Sequence, residues 1–192
     1  MVLGSLCQWC ANLASEVSVF CSAYFPVSNK QRWTLFSLFF VGGMLVEWLG
    51  VHFGYFFGNY SYGSNLGPKI DGIPIIIGIF WAVLTFITAR IAKGVAYKTS
   101  SILIHAIIGA SLMVLLDLLL EILAPRFDYW TFIPVDPPVE NYISWWAIGF
   151  IFQLILFSVE KNNFSSDRAS LTVSTHIYLA QVVFFGALAL IG

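Results

Sequence analysis

The residues best able to do chemistry in this chain are acids set in apolar sequence. Asp117 and Glu121 stand four apart in the run ILIHAIIGASLMVLLDLLLEIL, a spacing that stacks both on one face of a helix. Two carboxyls so close in a low-dielectric setting do not both ionise, so one is expected to hold its proton at neutral pH. A neutral carboxylic acid in an apolar pocket is what protonating a weak base, such as an alkene, requires. Glu47 and His52 lie in a second apolar run, FFVGGMLVEWLGVHF.

Buried acids also have a plainer use, as hydrogen-bonding glue between helices. That role falls more commonly to Ser, Thr, Asn or Gln. An ionisable group at membrane depth costs several kcal/mol unless paired, protonated or hydrated, and marks a site by default. Other polar residues carry less. His105 and His176 fall near the far ends of their apolar runs, where interfacial histidines are ordinary. Cys7 and Cys10 form a single C-x-x-C with Cys21 nearby; zinc would need a second ligand pair, so these read as small residues of an apolar helix and no metal is expected.

The setting of these acids follows from composition. Of 192 residues, 59% are apolar and 10% charged, whereas a soluble domain carries about 25% charged residues. So few charges cannot clothe a globular surface, and lipid must solvate most of the chain. Nine Lys and Arg against ten Asp and Glu leave no basic surface for nucleic acid. The expected fold is all-α, a single polytopic transmembrane helical bundle over 1–192. About six spans are expected, near 3–26, 33–57, 73–91, 101–124, 141–160 and 171–192. The first, which holds Asn12 and Glu16, reads either as a span or as an interfacial helix. No basic residue precedes it, which argues against a cleaved signal peptide.

Charge asymmetry orients the bundle. Lys30, Arg32, Arg90, Lys93, Lys98, Lys161 and Arg168 gather at alternate connections, and only Lys69 and Arg126 at the others. The positive-inside rule puts the first set in the cytoplasm and the long loops 58–72 and 125–140 outside. At 1.5 Å per residue, Asp117 then lies roughly 10 Å and Glu47 roughly 15 Å below the external ends of their helices. Tyr55, Tyr60, Tyr62, Tyr129, Trp130, Tyr142, Trp145 and Trp146 crowd the same side. Interfacial belts explain such residues equally well, yet ring faces beside buried acids can also stabilise a cation. The loop FGNYSYGSNLGPKIDGIP is dense in turn formers and reads as a re-entrant or capping loop.

At these residues a resemblance appears. Glu47, Gly50 and Val51, then FG-x-Y-x-Y-x-x-x-LGPK, G-x-P and Trp81, resemble the membrane carotenoid-biosynthesis family that includes carotenoid 1,2-hydratases and bacterioruberin-pathway hydratases. Asp117 and Glu121, followed by FDYW (127–130) and P-x-x-NYISW (138–145), resemble its second block, and the likeness covers about 33–160. Departures are Ile122, where relatives commonly place proline after the second acid, and Phe80, where bacterial relatives often have a polar residue. The resemblance implies a lipid-soluble carotenoid substrate, no cofactor, and addition of water across the terminal double bond of an acyclic end in a bacterial cytoplasmic membrane. It implies Asp117, Glu121 and Glu47 as catalytic, with one of the pair as proton donor and Glu47, assisted by His52, orienting the water or taking its proton. Substrate-binding residues would be His52, Tyr60, Tyr62, Trp81, Trp130, Asn141, Tyr142 and Trp145. Two other readings are open: the same protonation could start a cyclisation, or the protein could bind or move an isoprenoid without reaction.

Overall fold

A computed structural model describes residues 29–133, 136–160 and 168–191. The expected first segment, with Cys7, Cys10, Glu16 and Cys21, lies outside them. Among the described residues there are five helices: α1 (Asn29–Phe53), α2 (Ile75–Val95), α3 (Ile102–Leu123), α4 (Val139–Val159) and α5 (Arg168–Ile191). All five are long and apolar enough to cross a membrane, and the chain is an integral membrane protein. The helices form an antiparallel bundle in which α2 is central and largely buried. It packs against α1, α3 and α5, and α3 packs chiefly on α4.

Helix boundaries follow local chemistry. Pro74 and Pro138 precede α2 and α4 in extended conformation, where a missing N–H costs nothing. Ser101 caps α3 by accepting from the Ile104 N–H. The largest departure from expectation is at α1, which ends at Phe53 rather than 57. Gly54 at φ +68° and Phe56 at φ +69° turn the chain out of the helix. Glu47 is therefore six residues short of Phe53, as Asp117 is of Leu123. Both lie about 9 Å below their helix ends, so the two acids share one level.

The two long loops are knitted into a lid at that end, a capping arrangement rather than a re-entrant one. Strand β1 (Tyr60–Tyr62) pairs antiparallel with β4 (Trp130–Phe132) in the register Tyr60↔Phe132, Ser61↔Thr131 and Tyr62↔Trp130. Strand alternation turns Ser61 and Thr131 outward and sets the four aromatic residues on the underside. Beside this ribbon, β2 (Lys69–Ile70) and β3 (Ile73–Pro74) form a hairpin. Its turn residues Asp71 and Gly72 have φ +47° and +87°, the Asp-Gly pattern of a two-residue hairpin loop. The Lys69 Nζ donates to the Tyr62 carbonyl at 2.8 Å, tying hairpin to ribbon.

A clasp holds the loops together. Asp128 Oδ2 accepts from the Ser64 N–H at 2.8 Å and from its hydroxyl at 2.5 Å, and Gly63 N–H donates to the Tyr129 carbonyl. A Cβ on Gly63 would fall inside contact distance of the Asp128 carbonyl. Gly63→Ala is therefore expected to destabilise the protein by about 1–3 kcal/mol, read as a lowered Tm in detergent. The Ser64 donors hold the Asp128 carboxyl below its ordinary pKa. The clasp thus contributes fully above the ordinary carboxylate pKa and is lost as pH falls through the depressed one. Asp128→Asn should remove that acid-dependent step from the pH profile of Tm.

Candidate active site

Beneath the lid lies a cavity of about 190 Å³ into which Glu47, Asp117, Glu121, Asn141, Tyr60 and Tyr62 project. Its remaining lining is apolar or aromatic and includes Phe57, Phe132, Trp130 and Trp145. Glu47, Asp117 and Asn141 are almost wholly buried, at 3%, 1% and 1% exposure, so their polar atoms depend on protein partners.

Glu47 is held from three directions. Its Oε2 accepts from the Tyr60 hydroxyl at 2.5 Å and the Tyr62 hydroxyl at 2.6 Å, and its Oε1 from the Trp81 indole N–H at 2.9 Å. Burial, reinforced by the nearby Glu47 charge, pushes both phenols well above their ordinary pKa. They therefore stay protonated and donate. Trp81 is fixed in turn by stacking on Trp145, with ring centroids 3.8 Å apart and planes 10° apart. Gly50 makes the Tyr60 contact possible, since a Cβ there would meet the Tyr60 hydroxyl at 2.8 Å.

The other two acids share a donor. Asn141 Nδ2 donates to Glu121 Oε1 at 2.9 Å and lies 3.3 Å from Asp117 Oδ2. The Trp130 indole N–H donates to Glu121 Oε2 at 2.9 Å. Both oxygens of Glu47 and of Glu121 thus accept hydrogen bonds. Asp117 differs: its Oδ1 is buried and has no hydrogen-bond partner among the described residues.

Of the residues singled out from sequence, Glu47, Tyr60, Tyr62, Asp117, Glu121, Trp130, Asn141 and Trp145 line the cavity. Trp81 stands behind Glu47 and orients it. His52 and Tyr142 are not among the lining residues. His52 faces the hairpin, its Nδ1 3.0 Å from the Trp48 carbonyl and its Nε2 3.5 Å from Asp71 Oδ2. Asp71 also accepts from the Trp48 indole at 2.7 Å, so this trio pins β2 and β3 to α1. His105 and His176 contact backbone carbonyls near the opposite end. Lining residues not anticipated from sequence include Phe57, Leu66, Ile77, Phe132 and Phe185, which carry no polar atom to betray them. Among the described residues, no group of three or more His, Cys, Asp or Glu is placed to hold a metal ion.

The chain is a polytopic membrane helical bundle with three buried carboxyls facing an otherwise apolar and aromatic cavity under a lid. The carotenoid biosynthesis protein family matches residues 8–192, and the chain belongs to that family. Comparison with curated proteins and with solved structures returned no match. The protein therefore has a role in carotenoid biosynthesis.

Asn141 carries the arrangement of the acid pair. Asn141→Leu leaves buried carboxyl oxygens without their donor, which costs about 1–3 kcal/mol. The expected result is a lower Tm, measured in detergent beside Tyr142→Leu, which should change it far less.

Proposed function

We propose that the protein is a carotenoid hydratase, a cofactor-independent hydro-lyase that adds water to the terminal double bond of an acyclic carotenoid end. The observation that carries this reading is the division of labour among the acids. Both oxygens of Glu47 and of Glu121 accept hydrogen bonds, whereas Asp117 keeps one buried oxygen uncommitted. Asp117 is the acid we assign as proton donor.

The reaction balances with these groups. Asp117 delivers a proton to the less substituted alkene carbon, and the other carbon becomes a tertiary cation. Ring faces of the lining aromatics, among them Tyr62, Trp130 and Trp145, stabilise that cation. Water forms the new C–O bond and loses one proton to Glu47, giving a tertiary alcohol. Transfer of that proton from Glu47 back to Asp117 closes the cycle. Glu121 and Asn141 position the donor, and Tyr60, Tyr62 and Trp81 hold the base. The excess of basic residues at the end opposite the lid supports placing the lid on the outer face of a bacterial cytoplasmic membrane.

Pigment mass tests the reading. In bacteria that accumulate lycopene, the protein is expected to yield a product heavier by one water. Asp117→Asn and Glu47→Gln should each lower that yield by about 10²–10⁴-fold at equal levels of membrane-inserted protein. An isomer of unchanged mass and altered absorption would mean cyclisation instead. Full hydration by Asp117→Asn would refute the donor assignment.

A further inference from the structure

The cavity has a second, apolar end that acid chemistry does not need. Its residues divide by exposure. Glu47, Asp117, Asn141 and Tyr60 are buried, whereas Tyr62 and Trp130 of the ribbon and five further residues, Leu66, Ile76, Phe80, Tyr129 and Phe185, are half-buried. Those five have no hydrogen bond to the acids and mark an opening of the cavity at the protein surface, and none carries a charge. On the lid, Ser61, Ser64, Asp128 and Thr131 are exposed beside the exposed apolar residues Ile70, Phe127 and Ile133. There the paired strands close the cavity with hydrogen-bonded backbone.

The rim on the helix side is formed by Phe80 of α2 and Phe185 of α5. Helix α5 is fastened only over its first half. Arg90 Nε donates to Ser170 Oγ at 2.7 Å, and the Tyr178 hydroxyl to the Leu112 carbonyl at 2.7 Å. Beyond Tyr178, no hydrogen bond joins α5 to another element among the described residues. A Cβ on Gly186, next to Phe185, would meet nothing within 4 Å. Phe185 thus rests against the cavity on a stretch of helix held by apolar contact alone, which can give way without breaking a polar bond.

We propose that Phe80 and Phe185 are the jambs of a lateral portal, through which the polyene chain of a carotenoid lies while its end reaches the acids. Phe185 sets which ends pass. This rests on the reading of the site as one that acts on a carotenoid end. A cavity of about 190 Å³ holds only part of such a molecule, so the rest must leave it by an apolar route. A conjugated chain is stiff and cannot fold back inside. A planar polyene is narrower in section than a methyl-substituted ring, so a bulky side chain at the opening can pass the one and stop the other. The portal therefore admits acyclic ends and refuses cyclised ones.

Two readouts on the full chain test this: lycopene retained per protein in nanodiscs, and hydrated product in the same cells. Phe185→Trp narrows the portal and is expected to lower both by about tenfold or more, the scale on which a pocket discriminates small changes of fit. Val183→Trp, on the same helix at 67% exposure, should change neither. Phe185→Ala should retain lycopene and also retain β-carotene, ringed at both ends, which the unaltered protein refuses. That gain keeps the test decisive should the Trp variant fold poorly. Equal effects of Phe185→Trp and Val183→Trp, β-carotene refused by Phe185→Ala, or no lycopene retained by the unaltered protein would each overturn the portal. Lycopene retained without hydration, and lost in Phe185→Trp, would uphold the portal while removing the hydratase reading.

Discussion

Three carboxyls share one apolar cavity, and among the described residues no Lys or Arg lines it with them. The cost of keeping them there governs the structure around them. A buried acid must find donors, and in lipid those donors must come from the protein. Each lid strand supplies part of the answer. Tyr60 and Tyr62 on β1 serve Glu47 of α1, and Trp130 on β4 serves Glu121 of α3. Pairing the strands therefore couples two helices through their acids. Asn141 and Trp81 do the same for α4 and α2, so four helices and both loops converge on three carboxyls.

All of those donors are neutral, and this separates the cavity from the other polar cluster of the protein. At the opposite end Glu160 is 1% exposed. Burial pushes its carboxyl up to about 7, with Lys93 and Arg90 pulling the other way. There an acid is buried within the field of cations, whose charge opposes the cost of burying it. Under the lid, neutral donors orient the carboxyls without cancelling their charge, which leaves them able to exchange protons. The cavity thus holds its acids on neutral donors alone, and ionisable groups so placed at membrane depth are associated with functional sites.

Much of this was legible in the sequence because helical geometry is local. The four-residue spacing of Asp117 and Glu121 fixed their common face, and Asn141 with Trp145 repeats that spacing on α4. Charge and hydropathy gave the spans because lipid imposes one length on all of them. The Asp71-Gly72 turn was readable because only certain residues accept a positive φ. His52 was misplaced for an equally simple reason. Five residues beyond Glu47 is roughly 140° around a helix, which points it at the hairpin, whereas Gly50, three residues on, stays beside the acid. Tyr142 is turned from Asn141 by roughly 100° in the same way.

What the sequence did not disclose depends on contacts between distant segments. Strands of three residues, 60–62 and 130–132, are too short for alternation to announce them, and their pairing arises only when α1 and α3 bring both loops to one end. The same holds for Phe80 and Phe185. Phe185 reads as one more apolar residue of a span and Phe80 stands out only against its relatives, since lipid and an apolar cavity select the same side chain. Polar atoms in a membrane advertise a site because they are costly there, whereas apolar lining costs nothing and so leaves no trace in composition or spacing. The acidic part of the cavity is therefore written in the sequence, and its apolar part is visible only in the packing of α5 against α2.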